Sequence, residues 1–174
     1  MRAMLLFAVA LSAACAQSMT SRVLDVPWMK ADYTPSSGDS RTAELEDLKQ
    51  RLFSWGVKIE FIDSTQLMGQ TIRAEKLIYL SSTLDVNAQL EVLAHEAGHL
   101  LQPISLTPDK AGEEVWAEMV SVGVLKFYGH DGRQTSANYL AAYKSGLSIL
   151  PFYKKDIELT VKILTGQVPA RLDW

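Results

Sequence analysis

Residues 95–99 read His-Glu-Ala-Gly-His, an H-E-x-x-H pattern set within a strongly apolar stretch. Two imidazoles four residues apart meet only if the segment is helical, because i and i+4 share one helix face. Two histidines and a glutamate on an apolar helix also need something to pair with them, since burying unpaired polar groups is costly. The chain has three histidines, and two lie in this motif. Zinc accepts imidazole nitrogen readily and lowers the pKa of a bound water to about 7. His95 and His99 are therefore candidate Zn2+ ligands, and Glu96 is the candidate general base that takes the water's proton. Gly98 weakens a helix by about 1 kcal/mol relative to alanine, so its presence predicts a close approach by another element.

Two histidines leave a tetrahedral site short of a protein ligand. The metzincin extension that would supply a third histidine is absent, because Gln102 and Ser105 stand where it needs glycine and histidine. The next apolar helix offers Glu113, Glu114 and Glu118. Glu114 and Glu118 share a face one turn apart. Glu114 can bind the ion while Glu118 accepts the remaining N–H of a ligating histidine, fixing its tautomer. A bland explanation competes, since carboxylates at a helix start are favoured by the macrodipole. His130, in Tyr128-Gly129-His130-Asp131-Gly132, is the rival third ligand. It is more simply explained as a cation at a helix C-terminus. Tyr139 and Tyr143, one turn apart, read as core residues whose hydroxyls could alternatively hold an oxyanion.

Periodicity places these residues in a helix–sheet–helix order. Leu45, Leu48, Leu52 and Phe53 recur at helical spacing after the N-cap candidates Asp39 and Ser40, with Gly56 suited to the C-cap. Residues 57–62 alternate and predict a strand. Residues 76–82 predict another, and 71–73 a short one between them. Helices are expected over 86–101 and from Pro108 to 128, then at 136–145 and 152–164. The expected fold class is α+β: a small mixed sheet with an H-E-x-x-H helix and a glutamate-bearing helix.

Length and charge narrow the rest. The 174 residues fit one compact domain, and the 48% hydrophobic content supports a sizeable core. A net charge of −3 without a basic run argues against nucleic acid as a partner. Arg2, an apolar stretch from Met4 to Ala14 and the small residues Ala14-Cys15-Ala16 have the layout of an export signal cleaved before Gln17. The expected division is a signal peptide at 1–16, an extension or linker at 17–40 and the main domain at 41–174. Two alternatives are a lipid anchor on Cys15 and a cytoplasmic protein starting at Met19. With one cysteine, the chain offers no internal disulfide.

Glu113-Glu114-Val115-Trp116-Ala117-Glu118, following the H-E-x-x-H segment, resembles the E-x-x-A segment of ImmA/IrrE-type minimal gluzincin peptidases. It is also similar to the metallopeptidase domain of plasmid anti-restriction proteins. The resemblance extends over about 42–166. It implies a zincin-like fold, with Glu114 as third zinc ligand, Glu118 as its supporting carboxylate and the strand at 76–82 beside the cleft. The implied activity is hydrolysis of a peptide or protein substrate by a zinc-dependent peptidase. A zinc-stabilised regulatory or binding module with little turnover is the alternative. Family members of this kind are usually cytoplasmic, so the export signal is a departure. Substrate preference and oligomeric state stay open at this level.

Overall fold

The structure is a computed structural model, and it describes residues 37–103, 109–130 and 133–169. The expected leader at 1–16, Cys15, Met19 and most of the linker lie outside the described residues, as does Pro108. The elements run α1 (Thr42–Ser54), β1 (Lys58–Ile62), β2 (Gly69–Ile72), a 3-10 turn (Arg73–Glu75), β3 (Leu77–Ser81), α2 (Val86–Leu101), α3 (Lys110–Phe127), α4 (Arg133–Ala142), a second 3-10 segment (Lys144–Ile149) and α5 (Leu150–Leu164). This is an α+β arrangement with a small mixed sheet. Among the described residues, no helix is long and apolar enough to cross a membrane.

The sheet order is β1-β3-β2. β1 pairs parallel to β3, with Ile59 opposite Ile78, and β2 pairs antiparallel to β3, with Thr71 opposite Ile78. The 3-10 turn and Lys76, at φ +50°, close the tight β2–β3 connection. β3 is therefore central. Its Leu-Ile-Tyr-Leu-Ser run is buried on both faces except at Tyr79, as expected of a strand covered on two sides. The resemblance had put this strand beside the cleft. Both of its edges are instead occupied, and β2 is the strand that borders the site.

α2 is the hub. Leu90, Leu93, Ala94, Ala97 and Leu100 are buried, and its burial extends almost all round. Such a helix must be covered on several sides. α1 packs on it through Leu45, Leu48 and Leu52, while Phe53, expected on that apolar face, is exposed. Gly56 follows α1 with φ +78°, in the left-handed position that favours glycine.

Asp39 and Ser40 do not cap α1, whose N-cap is Arg41 without a side-chain bond. Their segment is tied instead to the start of α2. Val86 N–H donates to Asp39 Oδ1, Asn87 N–H to the Gly38 carbonyl, and Gly38 N–H to Asp85 Oδ2. The end of the expected linker thus anchors the motif helix.

α3 starts two residues later than Pro108, with Asp109 as its N-cap accepting from Gly112 N–H. α2 and α3 cross closely. A Cβ on Gly98 would stand 2.9 Å from Ala117 Cα and 3.0 Å from its carbonyl oxygen. The close approach predicted from Gly98 is this crossing.

Candidate metal centre

The Gly98–Ala117 contact sets the position of everything else. His95 and His99 flank Gly98 on α2, and Glu114 and Glu118 flank Ala117 on α3. Both glutamates are buried, as is Glu96, whereas Glu113 is exposed. The interior face of α3 therefore separates Glu114 from its neighbour.

His95, His99 and Glu114 form a group able to hold a metal ion. His95 Nε2 and His99 Nε2 are 3.1 Å apart. Glu114 Oε2 lies 3.4 Å from the first and 3.5 Å from the second. Metal–ligand lengths of about 2.0–2.1 Å in tetrahedral geometry put two ligand atoms roughly 3.3–3.4 Å apart. The triangle matches that edge, and its donors, two imidazole nitrogens and a carboxylate oxygen, suit zinc.

Glu118 Oε2 lies 3.0 Å from His95 Nδ1. When the imidazole is neutral, a hydrogen bond there places its proton on Nδ1 and leaves Nε2 free toward the triangle. Burial alone would push the His95 imidazolium down. Hydrogen bonding to Glu114 and Glu118, with the nearby Glu96 charge, outweighs it and raises His95 to about 10. Burial likewise opposes the Glu114 carboxylate, but the His95 and His99 imidazoles hold it well below the ordinary range. Three carboxylates thus surround two imidazoles, a field that favours a bound cation.

Glu96 takes a different position from that group. Thr71 Oγ1, on β2, is 2.8 Å from Glu96 Oε2 and 2.8 Å from the Glu96 backbone oxygen. β2 comes this near only because Gly69 lacks a side chain. A Cβ there would stand 2.5 Å from Val92 Cγ1 and 2.9 Å from Glu96 Cγ. Just beyond β2, Arg73 donates to the His99 carbonyl and to Gln102 Oε1 near the end of α2. The glutamate carboxylate is therefore held at the sheet edge.

Two groups on α4 and its end complete the surroundings. Tyr139 donates a 2.6 Å hydrogen bond to Glu114 Oε2, and its ring meets His95 edge-on at 5.4 Å. Burial, then the Glu114 charge, pushes its phenol well above the usual range. Tyr143 lies against Tyr139, with ring centroids 5.1 Å apart. His130 is not in the metal-competent group. It lies past the far end of α3, where its backbone N–H donates to the Leu125 carbonyl. Burial and the Arg41 charge lower its pKa.

Tyr139 is buried in the core, as its spacing predicts, with Tyr143 packed against that core, but its bond to Glu114 and the contact of Thr71 with Glu96 were not foreseen. The only available signal for either contact was residue type on a predicted element. An open apolar groove of about 670 Å³ between α3 and α5, lined by Met119, Val122, Phe127, Ile157 and Val161 among others, includes none of the site residues.

Comparisons with protein-family models, curated proteins and solved structures return no match. The chemistry rests on the residues themselves.

Proposed function

We propose that this protein is a zinc-dependent peptidase of minimal gluzincin type with a zincin-like fold. His95, His99 and Glu114 hold the ion, Glu118 supports His95, and Glu96 is the general base. One observation carries the proposal. The three ligand atoms stand at tetrahedral spacing while Glu96, next to the first of them, is turned toward the sheet edge by Thr71.

A bound zinc ion supplies Lewis acidity, lowering the pKa of water towards about 7 and polarising a carbonyl oxygen. The chain's own residues do the rest. Glu96 removes a proton from the attacking water and delivers it to the leaving amine as the C–N bond breaks. Thr71 fixes the carboxylate orientation for that transfer. Glu118 keeps the His95 proton on Nδ1. β2, with no strand on its outer side among the described residues, offers backbone groups to an extended peptide, which can bind by adding a strand to the sheet. Export, expected from residues 1–16, is part of the same proposal. A mature N-terminus at Gln17, read by mass spectrometry, supports it, and one at Met1 or Met19 overturns it.

The test of catalysis is Glu96→Gln, which keeps size and removes the base. Zinc content and fold should persist while cleavage of a broad peptide library falls about 10²–10⁴-fold, the usual contribution of a general base. Equal cleavage by both proteins overturns the assignment. Full zinc occupancy with no cleavage by the wild type favours the regulatory-module alternative.

A further inference from the structure

Granted the metal ligands proposed above, and independently of any hydrolysis, we infer that Tyr139 is a positioning residue of the metal centre. Its hydroxyl fixes which Glu114 oxygen faces the two imidazoles. The geometry is specific to one atom. Glu114 Oε2 is the oxygen 3.4 Å from His95 Nε2 and 3.5 Å from His99 Nε2, and the same Oε2 accepts the 2.6 Å bond from Tyr139. A carboxylate oxygen has more than one lone-pair direction. The phenol occupies one and leaves another aimed into the triangle.

The carboxylate is thereby held in its binding rotamer before an ion arrives. It would otherwise rotate about a broad terminal torsion, since χ3 of glutamate is only loosely two-fold. The Tyr139 ring adds a second restraint by meeting the His95 imidazole edge-on at 83°. One side chain from α4 thus touches two of the three ligands, although it comes from neither ligand helix.

A purely structural role is the competing account, because a buried phenol needs a hydrogen-bond partner wherever it lies. An oxyanion role, suggested by residue type alone, is another. The Phe substitution separates them because it removes one oxygen and keeps the ring on His95. Zinc affinity is measured by chelator competition for the wild type, Tyr139→Phe, Glu114→Ala and the double variant, with thermal unfolding of each protein in excess chelator.

Tyr139→Phe should weaken zinc about 10–100-fold, as losses of groups supporting a ligand do. Cobalt-loaded protein should show a shifted visible spectrum. The Phe substitution should have little further effect in the Glu114→Ala background, since the two act as one unit. Unchanged zinc affinity, whether with altered melting of the metal-free protein or with lost turnover, overturns the positioning role. An equal drop in both backgrounds also overturns it. Failure of the wild type to hold zinc overturns the metal centre itself, and is read before any Tyr139 variant is compared.

Discussion

Gly98 lies against Ala117 at the crossing of α2 and α3, with the backbone of Ala117 filling the space a side chain would need. A Cβ on Gly98 would meet a Cα and a carbonyl oxygen, neither of which can rotate away as a side chain does. Gly98→Ala gains about 1 kcal/mol of helix propensity but overpacks a full interface, a cost of about 1–3 kcal/mol. The expected net result is lower stability, seen as a melting temperature reduced by a few degrees. Zinc affinity should fall with it, because spreading the helices moves Glu114 and Glu118 away from the histidines. Calorimetry and chelator competition on the same variant check both parts.

The exposure of Glu113 against the burial of Glu114 makes the third-ligand assignment testable. Glu114→Ala should reduce zinc occupancy sharply in elemental analysis, and Glu113→Ala should leave it unchanged. Glu118→Ala should fall between them, about 10–100-fold weaker, because it removes the support of His95 and not a ligand. Equal losses at positions 113 and 114 would remove Glu114 from the site.

Much of this site was legible because its spacing is local. His95 and His99 are one helical turn apart, Glu114 and Glu118 are another such pair, and a glycine inside the motif marked the helix crossing. The contacts that were not legible are long-range. Thr71 reaches Glu96 across 25 residues and Tyr139 reaches Glu114 across 25, and no period connects either pair. Strand order was likewise hidden, since three short strands can be arranged in several ways. The continuous apolar run of β3 was nevertheless a physical sign that it is central. Asp39 shows the opposite failure. It has the right chemistry for capping α1, yet its carboxylate accepts from Val86 N–H at the start of α2.

Part of the acid sensitivity should be traceable to Asp85. Its carboxylate accepts from Ala88 N–H and Gly38 N–H, and these bonds lower its pKa in the folded protein. A carboxyl depressed on folding contributes stability that is complete above its unfolded pKa of about 3.9 and is lost as pH falls through the folded value. Asp85→Asn keeps an acceptor for the helix start and removes the charge. The melting-temperature gap between wild type and Asp85→Asn should be widest above about pH 5 and close on acidification. A gap that widens toward low pH contradicts this assignment.

Thr71 carries the sharpest expectation about the reaction. Its hydroxyl, whose single proton is shared between the Glu96 carboxylate and the Glu96 backbone oxygen, joins the β2 edge to that carboxylate. A hydrogen bond to a charged group is worth about 1.5–3 kcal/mol, equivalent to roughly 10–100-fold in rate if it is felt fully in the transition state. Thr71→Val preserves shape and removes that bond, so kcat for peptide cleavage should fall by about that factor. The proposed ligands are untouched, so zinc content should stay at the wild-type level. Thr71→Ser returns the hydroxyl and should restore most of the rate, which a packing role for the threonine methyl would not allow. A Val variant as active as wild type would show that Glu96 is oriented by something other than the strand edge. A variant that lost its zinc along with its activity would place Thr71 in the construction of the metal site.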